Sequence, residues 1–169
     1  MTVELAAPSD DWPRQFHAER ALLIVHLAPW LAGEVEHIGS TAVPGLTAKP
    51  ILDMLAAVLS LDEAAGAVPV LVGLGYEQGT HRPQEALWFC KAGPDGRRSH
   101  QLHLTRTDSD LWRERLAFRD ALRGSGALRE EYEGLKRRLA VQGGALADYT
   151  SGKRAFVARV LAGAGIALR

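Results

Sequence analysis

Three features in the first third of the chain have types and spacing suited to phosphate chemistry. Asp53 stands inside an otherwise apolar run, 51–59. A lone carboxylate there is costly unless it is paired, binds a cation or sits at the exposed end of a strand. Upstream, Gly39-Ser40 follows a short stretch, 34–38, that alternates polar and apolar residues. Glycine adds no side chain and serine adds a hydroxyl, so such a pair brings backbone N–H groups close to an anion; it also makes an ordinary turn. Lys49, just before Pro50, lies at the mouth of the Asp53 strand, where it either neutralises a phosphate or is simply solvated.

Local patterns give the elements that must position these groups. Trp12, Phe16, Leu22, Leu23 and Leu27 follow helical spacing over 12–30, with Pro13 suited to a first turn. Short strands are predicted at 34–38 and 51–59, the latter buried. A helix over 62–75 stops at Gly73 and Gly75, although Pro69 disfavours its interior. Segments 85–92 and 99–106 flank Gly93-Pro94-Asp95-Gly96, a hairpin signal because these residues adopt turn geometry at low cost. After Thr107 only helices follow: 110–123 capped by Ser109, 127–141 ended by Gly143-Gly144, and 145–162. Strands early and helices late indicate an α+β fold, with a small mixed sheet of four or five strands, rather than a doubly wound one.

The helices carry cations on their apolar sides. Arg115, Arg119 and Arg123 are four apart and drift by only ~40° per step, beside Leu111, Trp112, Leu116, Phe118 and Leu122. Lys136 flanks a stripe of Leu128, Tyr132, Leu135 and Leu139, and Lys153 shares an arc with Tyr149, Phe156, Val157 and Val160. Such groups either snorkel along the core edge or enter a cleft and grip an anion. His103 alternates with Gln101 and Thr105 on one strand face. If that strand lies beside Asp53, then His103, His37 and Asp53 form a set suited to a transition metal; otherwise His103 is a hydrogen-bonded histidine. Gly73-Leu74-Gly75 lacks the third glycine of a dinucleotide fingerprint. Ser151-Gly152-Lys153-Arg154 lacks the Ser/Thr that follows Lys in a Walker loop.

Composition narrows the classes. The chain has 169 residues, 47% hydrophobic and 24% charged, which suits one soluble domain. Lys+Arg and Asp+Glu are 20 each, against a nucleic-acid binder driven by bulk charge. Residues 1–105 hold 7 basic and 12 acidic residues, while 106–169 hold 13 and 8. This gradient is read either as a metal-and-phosphate site between the halves or as two complementary docking surfaces. Cys90, the single cysteine, permits no internal disulfide and is read as a packed strand residue. No apolar run spans a bilayer and the N-terminus is acidic rather than basic, so a cytoplasmic protein is expected.

The stretch His37-Ile38-Gly39-Ser40-Thr41-Ala42-Val43-Pro44-Gly45-Leu46-Thr47-Ala48-Lys49-Pro50-Ile51-Leu52-Asp53 resembles the signature of the GrpB family, which is assigned to the nucleotidyltransferase superfamily with the polymerase-beta-like fold. Leu102-His103-Leu104, Phe118-Arg119-Asp120-Ala121-Leu122-Arg123, Tyr132-Glu133-Gly134-Leu135-Lys136 and the block from Tyr149 to Lys153 resemble later family elements in the same order. The resemblance implies a minimal nucleotidyltransferase-like mixed sheet with flanking helices over 1–107, and a C-terminal helical bundle over 108–169 packed on it as one structural unit. It implies that the Gly39-Ser40-Thr41 turn holds the triphosphate of an NTP; Lys49 and, from their helical spacing rather than the resemblance, Arg119, Arg123, Lys136 and Lys153 are expected to bind the same phosphates, the last four from the helical side. Asp53 would be catalytic and would hold a divalent metal, Mg or Mn, assisted by His103 and His37.

The implied activity is metal-assisted transfer of a nucleotidyl group from an NTP to a small acceptor. The alternative is a non-catalytic nucleotide- or coenzyme-phosphate-binding module accessory to coenzyme A metabolism, since family members occur fused to dephospho-coenzyme A kinase. The superfamily pattern has a second carboxylate two residues after the first, where this chain has Leu55; that departure favours the binding module. The expected partner is a small phosphate-bearing ligand, without membrane or nucleic acid.

Overall fold

The computed structural model describes residues 4–142 and 146–169. Helix α1, Asp11–Leu27, buries Trp12, Phe16, Leu23 and Leu27, a stripe with helical spacing. Strand β1, Leu31–Ile38, leads through a 3₁₀ turn at Ser40–Ala42 and a loop to β2, Leu52–Val58. The helix expected over 62–75 is broken into α2, Leu61–Ala64, a 3₁₀ turn at Ala65–Ala67, and α3, Val68–Gly73, whose first turn accommodates Pro69. Gly66 sits at that break against Trp30, where a Cβ would stand 3.1 Å from the indole nitrogen.

Strand β3, Tyr76–Gly79, was not expected; its four residues carry too little alternation to announce a strand. The hairpin is present as β4, Ala86–Ala92, and β5, Arg98–Thr105. Helices α4, Asp110–Gly124, and α5, Gly126–Gln142, follow. The last expected helix is two, α6, Leu146–Ser151, and α7, Arg154–Gly163, parted at Gly152; its expected first residue, Ala145, lies outside the described residues.

The five strands form one sheet in the order β1-β2-β5-β4-β3, so the fold is α+β with a mixed sheet and flanking helices. Strands β2 and β5 run parallel and the other neighbours antiparallel. The register sorts side chains between two faces. One face carries Val35, Met54, Ala56, Val58, Phe89, Leu102 and Leu104, which pack with Phe16, Leu23 and Leu27 of α1 and with Ala64, Ala67 and Leu71. Tyr76, Lys91 and His100 share it; there the Tyr76 hydroxyl and the Lys91 ammonium both donate to buried Glu19, at 2.8 and 2.9 Å.

The opposite face carries Asp53, Leu55, Gln101, His103, Trp88 and Cys90. Helix α4 is fastened across it. At its start the Leu111 amide donates to Glu85 at 3.0 Å and Arg82 bonds both Glu85 and Glu114. Further along, Arg119 reaches Glu36 and the His37 carbonyl of β1. Because β1 is an edge strand, Arg119 at the His37 carbonyl and Arg20 at the Val35 carbonyl (3.3 Å) also cover groups that another strand would otherwise pair with. A second core joins Val43 and Leu46, just past the Gly39-Ser40 turn, to Leu122, Tyr132, Phe156 and Val160 of the C-terminal helices. Phe118, Tyr132 and Phe156 meet there, with Tyr132 and Phe156 stacked 5.1 Å apart.

Candidate phosphate-binding cleft

The candidate site begins where β1 ends. Ile38 pairs with Asp53 across the β1–β2 ladder, so the next residue turns directly over the carboxylate. Gly39 has φ 71° and ψ −171°, a conformation essentially restricted to glycine. A Cβ at this position would stand 2.6 Å from Asp53 Oδ2 and 3.1 Å from its Cβ. Glycine is therefore required twice, by backbone conformation and by the approach of the turn to Asp53. Ser40 follows, reached by the hydroxyl of Tyr132 from α5. Thr41 faces inward: its hydroxyl donates to the Ile51 carbonyl at 3.2 Å and lies 2.9 Å from His37 Nε2, stitching the turn to the start of β2.

Asp53 keeps part of its surface open to solvent, yet protein crowds its carboxyl. Burial pushes its pKa up to about 6, against the pull of four cations: Arg115, Lys153, Lys49 and Arg98. These come from α4, the residue preceding α7, the loop before β2, and β5. None of the four has a carboxylate within 4.0 Å among the described residues. Lys49 and Lys153 share one aromatic neighbour, with ammonium groups 4.5 and 4.4 Å from the ring centre of Tyr149. Burial and the charge of Lys49 hold Lys153 down at about 8, and burial likewise lowers Lys49. Arg98 lies over the ring of Trp88, 5.3 Å from its centre. The result is one carboxylate acted on by four cations beside a glycine turn, Lys49 and Lys153 half-buried and Arg98 and Arg115 exposed.

The other expected cations are committed elsewhere. Arg119 donates to Glu36 at 2.6 Å, Asp120 at 2.7 Å and the His37 carbonyl at 3.0 Å. Arg123 donates to the Ala42 carbonyl at 2.9 Å, pinning the turn from outside. Both line a separate groove of about 320 Å³ with Phe16, Arg20, Glu34 and Glu36. Lys136, 1% exposed, donates to the Thr47 carbonyl and lies 3.5 Å from Glu133, which in turn accepts from the Thr47 amide and hydroxyl. Burial lowers its pKa to about 8. Lys136→Met is accordingly expected to destabilise the fold by about 1–3 kcal/mol, since the Thr47 carbonyl and Glu133 lose a buried donor. Urea unfolding checks this; the same variant should bind phosphate ligands as the unaltered protein does.

The expected histidines separate. His103 shares the face of Asp53, but the in-register neighbour of Asp53 on β5 is Gln101, and His103 lies opposite Leu55. Its ring meets His81 and Trp88. His37 is in register with Met54 and so faces the other side of the sheet, stacked on Phe16 at 4.6 Å. It cannot join Asp53, because one step along a strand reverses the side chain. Among the described residues no three His, Cys, Asp or Glu side chains come together as metal ligands. Cys90, read as a packed strand residue, lies on the cleft face and is half-buried. Sequence reasoning passed over Arg98 and did not choose Arg115. The one available signal was that Arg115 shares the helical stripe of Arg119 and Arg123.

Comparison with known proteins places this arrangement. A UPF0157 protein of Deinococcus radiodurans is 41% identical over 126 residues, 75% of this chain and 64% of that protein, so the chain spans less than two thirds of that relative's length. A crystal structure of the conserved protein GrpB from Enterococcus faecalis superposes with a TM-score of 0.83 at 31% identity, covering 93% of this chain and 94% of that one. A dephospho-CoA kinase of Mycolicibacterium paratuberculosis is 32% identical over 121 residues, 68% of this chain but only 27% of that enzyme. The family described as GrpB protein matches residues 2–162, which include the glycine turn, Asp53 and the cationic groups gathered around them. The chain belongs to the GrpB family.

Proposed function

We propose that the cleft binds the phosphate groups of a small nucleotide- or coenzyme-like ligand. The observation that carries this reading is the charge imbalance around Asp53: Lys49, Arg98, Arg115 and Lys153 act on one carboxylate and, among the described residues, have no carboxylate within 4.0 Å. A di- or triphosphate relieves their mutual repulsion and accepts several hydrogen bonds at once. The Gly39-Ser40 turn lets backbone approach the same space. A coenzyme-like ligand draws support from the likeness to part of a dephospho-CoA kinase.

A thermal-shift series with inorganic pyrophosphate, ATP, dephospho-coenzyme A and coenzyme A tests the proposal. A ligand at ~100 times its Kd adds ~2.7 kcal/mol to native stability. Stabilisation is expected from at least one of these and should be lost in the Lys49→Met/Lys153→Met variant. Absence of a shift with all four would contradict the reading.

Nucleotidyl transfer is the second reading, favoured by one observation: the glycine turn lies directly against a strand carboxylate, as the resemblance to nucleotidyltransferases leads one to expect. It assigns Asp53 the catalytic role. Incubation with labelled NTPs and small hydroxyl or phosphate acceptors separates the two. Label reaching an acceptor, and failing to in Asp53→Asn, supports transfer; label that never leaves the NTP leaves a binding module.

A further inference from the structure

We infer that the cleft binds phosphate without a divalent cation: Lys49 and Lys153 supply the two positive charges such an ion would bring, and the ring of Tyr149 fixes where they stand. The inference rests on the phosphate-binding reading of the cleft. Its first support is the donor set. A hard divalent cation takes several oxygen ligands and is held by carboxylates that offset its charge. The charged groups acting on Asp53 are Arg115, Lys153, Lys49 and Arg98, with no second carboxylate among them. Leu55 occupies the next position on the same face of β2. An incoming dication would meet four like charges and a single carboxylate.

The second support is the way the two lysines are held. Both ammonium groups lie within 4.5 Å of the centre of a single tyrosine ring that is itself 5% exposed. A ring face attracts cations, and here it restrains two flexible side chains that otherwise repel each other. Lys49 precedes β2 and Lys153 precedes α7, so Tyr149 ties charges from opposite ends of the chain to one spot. The third support is contrast. The ammonium of Lys91 bonds Glu19, that of Lys136 bonds the Thr47 carbonyl, and the guanidinium of Arg119 bonds Glu36. Lys49 and Lys153 have no carboxylate within 4.0 Å among the described residues. Their positive charge is left available to an anion.

Isothermal titration of the full chain with inorganic pyrophosphate, once in EDTA and once with Mg²⁺ in excess over ligand, tests this without any substitution. Binding is expected in EDTA, and excess Mg²⁺ should weaken it by occupying the same oxygens. Lys49→Met and Lys153→Met should each weaken binding roughly tenfold or more, the worth of a charge-assisted hydrogen bond. Tyr149→Phe keeps the ring and should keep the affinity, whereas Tyr149→Leu should lose it severalfold, with unliganded melting points confirming that both variants fold. Binding seen only with Mg²⁺ or Mn²⁺ overturns the inference and leaves the phosphate-binding reading standing; no binding of pyrophosphate in either medium counts against both. Equal losses in Tyr149→Phe and Tyr149→Leu would remove the role assigned to the ring.

Discussion

Between pH 7 and pH 5 the native state is expected to lose about 3 kcal/mol of stability net: about 4 through two buried histidines, offset by about 1 at Asp53. Burial, then Arg123, Arg119 and His17, hold His37 down at about 4. Burial, then Arg115 and His81, with Arg82 a smaller contributor, hold His103 down at about 3 against the Met54 carbonyl, which favours its charged form. The unfolded chain takes up these protons near the ordinary pKa of 6.5, whereas the folded chain does not. Stability is therefore fully present above 6.5 and falls as pH falls towards the folded values, by about 2 kcal/mol per histidine at pH 5. Asp53 acts in the opposite sense. Its folded pKa of about 6 lies above its unfolded value, so the native state binds the extra proton below 6 and recovers about 1 kcal/mol. Urea midpoints measured across this range should slope downward with acid, and His103→Gln should flatten the slope. A flat profile in the unaltered protein would contradict the burial assigned to these rings.

Gly39→Ala is expected to be the most damaging single substitution in the cleft. It places a side chain at φ 71°, ψ −171°, costing about 1–3 kcal/mol in backbone strain alone. It also drives a methyl group to 2.6 Å from Asp53 Oδ2 and 3.2 Å from Asp53 Cγ, so the carboxylate must rotate or β1 and β2 must part. A total near 2–4 kcal/mol follows, together with loss of phosphate binding. Asp53→Ala in the same chain removes the carboxylate from the collision but leaves the strain and a contact of 3.1 Å to the Asp53 Cβ. The double variant should therefore be more stable than the two single effects added together. Chemical denaturation of the four proteins measures the coupling. Strict additivity would mean that Gly39 and Asp53 do not touch.

The α+β class was legible because the hairpin and the apolar strand at 52–58 obey short-range rules. Turn residues between two strand-like runs, and a run too short for a helix, need no tertiary information. The parallel pairing of β2 with β5 was not legible, since it joins segments about fifty residues apart, and neither was β3. The Gly39-Ser40 and Asp53 pair was singled out from chemistry alone, because an acid in an apolar strand must have a reason. The cations were harder. Helical spacing placed Arg115, Arg119 and Arg123 on one stripe, but only the packing of α4 across the sheet decides that Arg119 meets Glu36 and the His37 carbonyl while the charge of Arg115 acts on Asp53. For the histidines the missing fact was register. A one-residue offset decides which face His37 joins, and no local signal sets it.

In the proposed function, phosphate sits between the Gly39-Ser40 turn, Asp53 and the Lys49–Lys153 pair. Titration of isotope-labelled protein with inorganic pyrophosphate, followed by amide NMR signals, tests it most directly. The signals of Gly39, Ser40, Asp53 and Lys153 are expected to move together and saturate at one ligand per chain. Signals that stay fixed there while those around Arg119 and Arg123 move would put the anion in the neighbouring groove and rule out the site at Asp53.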